Sequence, residues 1–135
     1  MSQGKGLPRG SLCLLAGVVL ACSSEPNGFE RGCDSQVSFT AGPGLTPQIS
    51  WSPDCKLHLL RVTGPDGVEW QVRGVDQFGY DNTLTSPIVY GVLPTDASSE
   101  AGPRPLVTGG QYGLQAWIVD LNTQVIGAGE GGFTR

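Results

Sequence analysis

His58 is the single histidine of the chain, and so the only side chain whose ordinary pKa suits acid–base work near neutral pH. It sits in Leu57-His58-Leu59-Leu60-Arg61-Val62, opposite in phase to Leu57 and Leu59. A catalytic imidazole needs a nucleophile and an orienting acid within hydrogen-bond reach. Serines are plentiful, but none stands in the Gly-x-Ser-x-Gly turn that exposes a hydrolase nucleophile. A structural or surface role for His58 is the expectation. Asp76-Gln77-Phe78-Gly79-Tyr80-Asp81-Asn82 gathers oxygen ligands. It lacks the Asp/Asn rhythm closing on Glu that holds calcium in an EF-hand loop, and it reads as a solvated turn. Gly127-Ala128-Gly129-Glu130-Gly131-Gly132 is followed by neither a helix nor a lysine, so it reads as a bulged or flexible last strand and not as a phosphate cradle. Glycoside hydrolysis needs two carboxylates at a set separation in space, and the sequence favours no pair. One histidine and no spare cysteine weigh against zinc. No catalytic residue, metal or cofactor is expected.

The binding lead is aromatic. Trp117 is out of phase with Tyr112, Leu114 and Ala116, so it should face away from the core. Phe78 and Tyr80 fall in a loop. Exposed rings could stack on a sugar or anchor a protein partner, because a rigid aromatic covers a large area at low entropy cost. The competing expectation is that a neighbouring loop, or Trp70, covers Trp117.

The elements that must position these groups are strands. Val37 and Phe39 share one face of 36–40, and Ile49 and Trp51 one face of 46–51. Residues 57–62 form a nearly continuous apolar strand. Pro65-Asp66-Gly67 is a turn, and Val68, Trp70 and Val72 alternate after it. Residues 88–93 form another strand, stopped by Pro94, and 95–105 reads as loop. Tyr112, Leu114, Ala116 and Ile118 alternate cleanly, and a last strand starts at 124–128 and runs out near Phe133. About seven short strands with period-two patterning predict an all-β antiparallel sandwich.

Before these strands lie a basic start (Lys5, Arg9) and an apolar run, residues 11–21. A short apolar stretch after basic residues is a secretory signal. Eleven helical residues span only about 16 Å at ~1.5 Å each, too short for a bilayer core that needs roughly 20 residues. Val19-Leu20-Ala21-Cys22-Ser23-Ser24 then resembles the lipobox of a bacterial lipoprotein, with Val19 in place of the commoner leucine. The resemblance implies that the Cys22 thiol takes a diacylglyceryl group, that residues 1–21 are cleaved, and that the new amino group receives a further acyl chain such as palmitate. Several chains anchor firmly, at ~0.8 kcal/mol per buried methylene. Ordinary cleavage would instead leave Cys22 as a free or disulfide-bonded thiol. Ser23, where inner-membrane lipoproteins usually carry aspartate, implies the outer membrane. Residues 22–32 would then be a lipidated cysteine and tether, and 33–135 one domain.

Cleavage would remove Cys13 with the leader. Cys33 and Cys55 would remain together in an oxidising compartment, where a disulfide is the default. A metal or redox site is the alternative, although no Cys-x-x-Cys is present. The cleaved chain would hold 12 acidic and 6 basic residues. That charge excludes the electrostatic footprint of a nucleic-acid binder and offers no polybasic patch to anionic lipids. Lipid alone would hold it to the membrane.

Pro47-Gln48-Ile49-Ser50-Trp51-Ser52-Pro53 resembles the second strand of a fibronectin type III domain, of the immunoglobulin-like group, where a tryptophan fills the space between the sheets. Leu106 six residues before Tyr112, with Gly109-Gly110 between, is similar to that family's tyrosine corner, whose hydroxyl bonds back to the backbone. Residues 113–118 continue as the following strand. The resemblance spans roughly residues 37–133. The Cys33–Cys55 pair departs from the family and would clip the region before the first strand to the connection after the second. The fold does not carry a function with it. The resulting expectation is a non-enzymatic, lipid-anchored envelope protein presenting a recognition or structural surface to an envelope protein or a glycan. Alternatives are a carbohydrate-binding module and a small envelope hydrolase.

Overall fold

The computed structural model describes residues 32–75 and 81–135. Two antiparallel sheets face each other. The smaller contains β1 (Ser38–Ala41), β2 (Gln48–Ser52) and β5 (Ile88–Val89), in the order β1-β2-β5. The larger contains β3 (Leu59–Gly64), β4 (Gly67–Gly74), β6 (Ala97–Ala101), β7 (Gln111–Val119) and β8 (Val125–Thr134), in the order β6-β4-β3-β7-β8. The fold is an all-β sandwich, as the alternation predicts.

Inward-facing side chains of both sheets form the core: Ile49 and Trp51 from β2, Leu60 and Val62 from β3, Trp70 and Val72 from β4, and Tyr112, Leu114, Ala116 and Ile118 from β7. Strand side chains point to opposite faces in turn, so each of these pairs is two residues apart. Trp51 lies between the sheets, its indole N–H donating to the Cys55 carbonyl at 2.8 Å and its ring meeting Phe39 edge-on. The Val107 amide donates to the Tyr112 hydroxyl at 2.8 Å, tying that side chain back to the backbone five residues upstream. Trp70 packs edge-to-face on Tyr90, with ring centroids 5.2 Å apart.

Cys33 and Cys55 are disulfide-bonded with their Cα atoms 5.1 Å apart. The bond joins the segment before β1 to the β2–β3 connection. On the same side the Val37 amide donates to the Ala128 carbonyl at 2.8 Å, so β1 and β8 meet where the two sheets come together. That approach needs Gly129: a Cβ there would lie 2.7 Å from the Val37 carbonyl oxygen.

Several expectations need correction. Within 57–62 the inward residues are His58, Leu60 and Val62, while Leu59 faces outward. Leu57 is buried as well, because it pairs with Leu84 outside the regular strand and so does not share the period of β3. Residues 95–105 contain β6, an edge strand on β4. Its Ala-Ser-Ser-Glu-Ala sequence carries no β-branched or aromatic residue, so the free edge of β4 makes it a strand, and its own propensity does not. The strand over 88–93 shortens to Ile88–Val89, because Val92 donates back to the Val89 carbonyl around Gly91, whose φ of +83° suits a turn. A bulge at Val62/Thr63 shifts the β3–β4 register, leaving Val68 only partly buried while Trp70 and Val72 are fully inside. The last strand is bulged opposite Ala116/Trp117.

Candidate functional site

The outer face of the larger sheet carries the most distinctive arrangement of side chains. Alternation along β7 sends Tyr112, Leu114, Ala116 and Ile118 inward, so Gln115 and Trp117 stand on the outer face. Register then decides what surrounds the indole. Across β3 its partner is Leu59, and across β8 it is Gly127, which has no side chain. One flank of the ring is therefore apolar and covered, and the other is left open by the glycine.

Arg61, two residues along β3 from Leu59, holds its guanidinium carbon 4.7 Å from the Trp117 ring centroid, a cation–π contact. Its Nε–H donates to the Gln71 side-chain oxygen at 2.6 Å, which fixes the arginine over the ring. Farther out, Arg73 approaches Glu100 at 3.4 Å. Trp70 lies inside the sandwich and does not cover Trp117; Arg61 covers it in part.

Beside the open flank is a groove of about 440 Å³, lined by Gln36, Gln115, Trp117, Gly127, Gly129 and Glu130. The Gln36 side-chain amide donates to the Gly127 carbonyl at 3.2 Å, so one glutamine already bridges the bulge. An aromatic plane next to amides that donate and accept, and a carboxylate that accepts, is chemistry for hydroxyl-rich or peptide-like ligands.

His58 is buried on the other side of the same sheet, with Nδ1 2.8 Å from the Asp81 backbone oxygen. It is bonded to backbone within the interior. Asp81 and Asn82 are buried too, and for these two residues the expected solvated turn gives way to an internal anchor. The Asn82 side chain accepts from the Val119 amide and donates to the Val119 carbonyl, both at 2.8 Å. It supplies the end of β7 with the two bonds a neighbouring strand would give. Cys22, Phe78 and Tyr80 lie outside the described residues. Among the described residues no group of three His, Cys, Asp or Glu side chains could hold a metal ion.

Arg61, Gln71, Gln36 and Glu130 were not legible as neighbours of Trp117. Their positions depend on which strands pair and in what register, and the β7–β8 bulge shifts that register by a residue. Among the described residues the one ionisable group with a clear shift lies elsewhere. Burial, reinforced by the nearby Glu69 carboxylate, pushes the Tyr90 phenol up to about 12; the hydroxyl donates to the Arg104 carbonyl at 2.6 Å. Tyr90 lines a mainly apolar cleft of about 390 Å³ at the end of the sandwich formed by Leu45, Val92 and residues 103–106.

No family model matches this chain, and neither a curated protein nor a solved structure is similar to it.

Proposed function

We propose that the chain is a lipid-anchored protein of the cell envelope, most simply of the outer membrane, whose immunoglobulin-like β-sandwich is a non-catalytic recognition module. Cys22 is the acylated residue, residues 23–32 the tether, and the outer face around Trp117 the recognition surface. The lipobox-like residues 19–22 support the anchor. The observation that carries the recognition reading is the open flank of Trp117: a tryptophan on a sheet surface, pinned by Arg61 and facing a strand position without a side chain. A two-dimensional tether raises the effective concentration of such a surface toward envelope partners. The fibronectin type III-like reading draws on Trp51 between the sheets and on the Tyr112 corner.

The ligand class that the groove favours is a glycan. The indole offers a flat apolar plane, while Gln36, Gln115 and Glu130 offer hydrogen bonds beside it. Protein scaffolding is the second reading, favoured by the exposed apolar residues Leu45, Val92 and Val107 at the far end of the sandwich.

Two measurements test this. Mass spectrometry of the amino-terminal peptide from native membranes should show acyl mass on Cys22; an unmodified thiol there removes the anchor. A glycan array probed with the full chain should show binding that Trp117→Ala abolishes. Binding that survives the substitution removes this face as the site.

A further inference from the structure

Given the lipid-anchor reading above, on which this rests, we propose that the end of the sandwich where the chain arrives from Cys22 is a lipid-contacting surface, with Leu121, Val125 and Ile126 seated in the membrane interface. These three side chains are 66%, 47% and 44% exposed. They cluster at the β7–β8 turn, and the cavity of about 320 Å³ beside them is lined by Gly32, Cys33, Ile118, Leu121 and Ile126.

Leu121 is not exposed for want of structure around it. The Asp120 carboxylate accepts from the amides of Asn122 and Gln124, each at 2.9 Å. The Asp120 amide donates to the Gln124 carbonyl, and the Thr123 amide to the Asp120 carbonyl. The turn is closed by its own hydrogen bonds and presents an apolar side chain at its apex. Such a tip is solvated at a cost unless something apolar receives it.

Apolar exposure alone does not say what receives it, because the opposite end of the sandwich exposes Leu45, Val92, Leu93 and Val107. Where the chain joins decides between the two. Gly32 lines the Leu121 cavity and is bridged to Lys56 at this end. Residues 23–32 reach at most ~35 Å even when fully extended. β8, ten residues long, carries the chain away by about 33 Å at ~3.3 Å per residue, so Arg135 and the far apolar group lie a full strand length from the anchored end. The tether therefore keeps the Leu121 end within ~35 Å of the acyl chains, whereas the far end can lie about twice as far away. Asp34 and Asp120 line the same cavity, so anionic headgroups are not what attracts it. The contact is apolar, and neutral lipid suffices.

The test uses the full lipidated chain, purified from membranes and reconstituted into phosphatidylcholine vesicles. Leu121→Cys and, at the far end, Val107→Cys each carry an environment-sensitive dye. Cys22 is acylated and Cys33 and Cys55 are paired, so the dye has one site. Nitroxide-labelled lipid should quench the dye at 121 at least threefold more than at 107, with iodide in the water showing the reverse order. Equal lipid quenching at the two positions overturns the proposal. So does a dye at 121 shielded from lipid and iodide alike, which would mean that the protein itself covers that position. Protein that fails to float with the vesicles and lacks acyl mass on Cys22 overturns the anchor and this proposal together. Floating protein with equal quenching overturns the orientation alone.

Discussion

Trp117 stands on the outer face of the larger sheet and Trp51 between the sheets, and replacing each by alanine in separate chains tells surface from core. Trp51 is inside, with its indole N–H bonded to the Cys55 carbonyl and its ring against Phe39. Truncating a buried tryptophan typically removes about 3–5 kcal/mol. That is a large share of the roughly 5–15 kcal/mol that holds a domain together. Trp117 should remove much less. Its contact with Arg61 is worth about 0.5–1 kcal/mol at an exposed site, and its cross-strand pairing with Leu59 about 0.2–1 kcal/mol. The sum is near 1–2 kcal/mol.

For a domain of this size each kcal/mol moves the melting midpoint by roughly 4–8 °C. Trp117→Ala should therefore melt about 5–15 °C below the parent chain, and Trp51→Ala much lower or not fold at all. Far-ultraviolet circular dichroism follows both, since neither lost ring dominates that signal. A cycle with Arg61→Ala should return a coupling of about 0.5–1 kcal/mol. If Trp117→Ala loses as much as Trp51→Ala, the indole is a core group and the outer-face reasoning is wrong. If the cycle returns no coupling, Arg61 does not hold the ring.

Replacing Cys33 and Cys55 together by alanine opens a loop with a sequence separation of 22, and the chain-entropy relation gives a loss of about 3 kcal/mol; a denaturant midpoint unchanged by the double replacement would refute it. Asn82→Ala strands the amide and carbonyl of Val119 in the interior, and at about 1–3 kcal/mol per unsatisfied group it should destabilise the fold by at least ~2 kcal/mol, read by equilibrium unfolding. Tyr90 binds its proton more tightly folded than unfolded, so its contribution is fully present below pH 10 and is lost as pH rises from about 10 toward about 12; Tyr90→Phe should flatten that part of the stability–pH curve, and an unchanged slope would refute the assignment.

The alternation of Tyr112, Leu114, Ala116 and Ile118 carries its own answer, because period two puts one whole set inside whatever strand β7 pairs with. Cys33 and Cys55 were legible by elimination among four cysteines, given an expected secretory leader. Trp51 and Tyr112 were legible because each has a local signature, a strand motif or a corner spacing. β6 was not, because Ala97–Ala101 is a strand only by virtue of β4 beside it. The phase of 57–62 was not, because Leu57 bonds to Leu84 and not within the regular ladder. Asn82 was missed for a related reason: a lone asparagine in a polar stretch reads as turn, and its two bonds to Val119 span 37 residues of sequence.

Trp117 stands two residues before the end of β7, so along the strand it is about 7 Å from Val119, at the end of the sandwich that Gly32 and Cys33 join. The groove beside it runs along β7 and β8 and not at the far tip, where the Tyr90 cleft lies. If the proposed lipid anchor holds, a link of at most ~35 Å would keep that groove within reach of the membrane surface. Under the proposed orientation the far end, with Leu45, Val92 and Val107 exposed, would face the aqueous space beyond. The two readings of what the module recognises therefore differ in place as well as in chemistry. A glycan held by Trp117 would be one attached at or near the same membrane, whereas a protein partner engaging the apolar far end would be soluble or would reach across from another layer of the envelope.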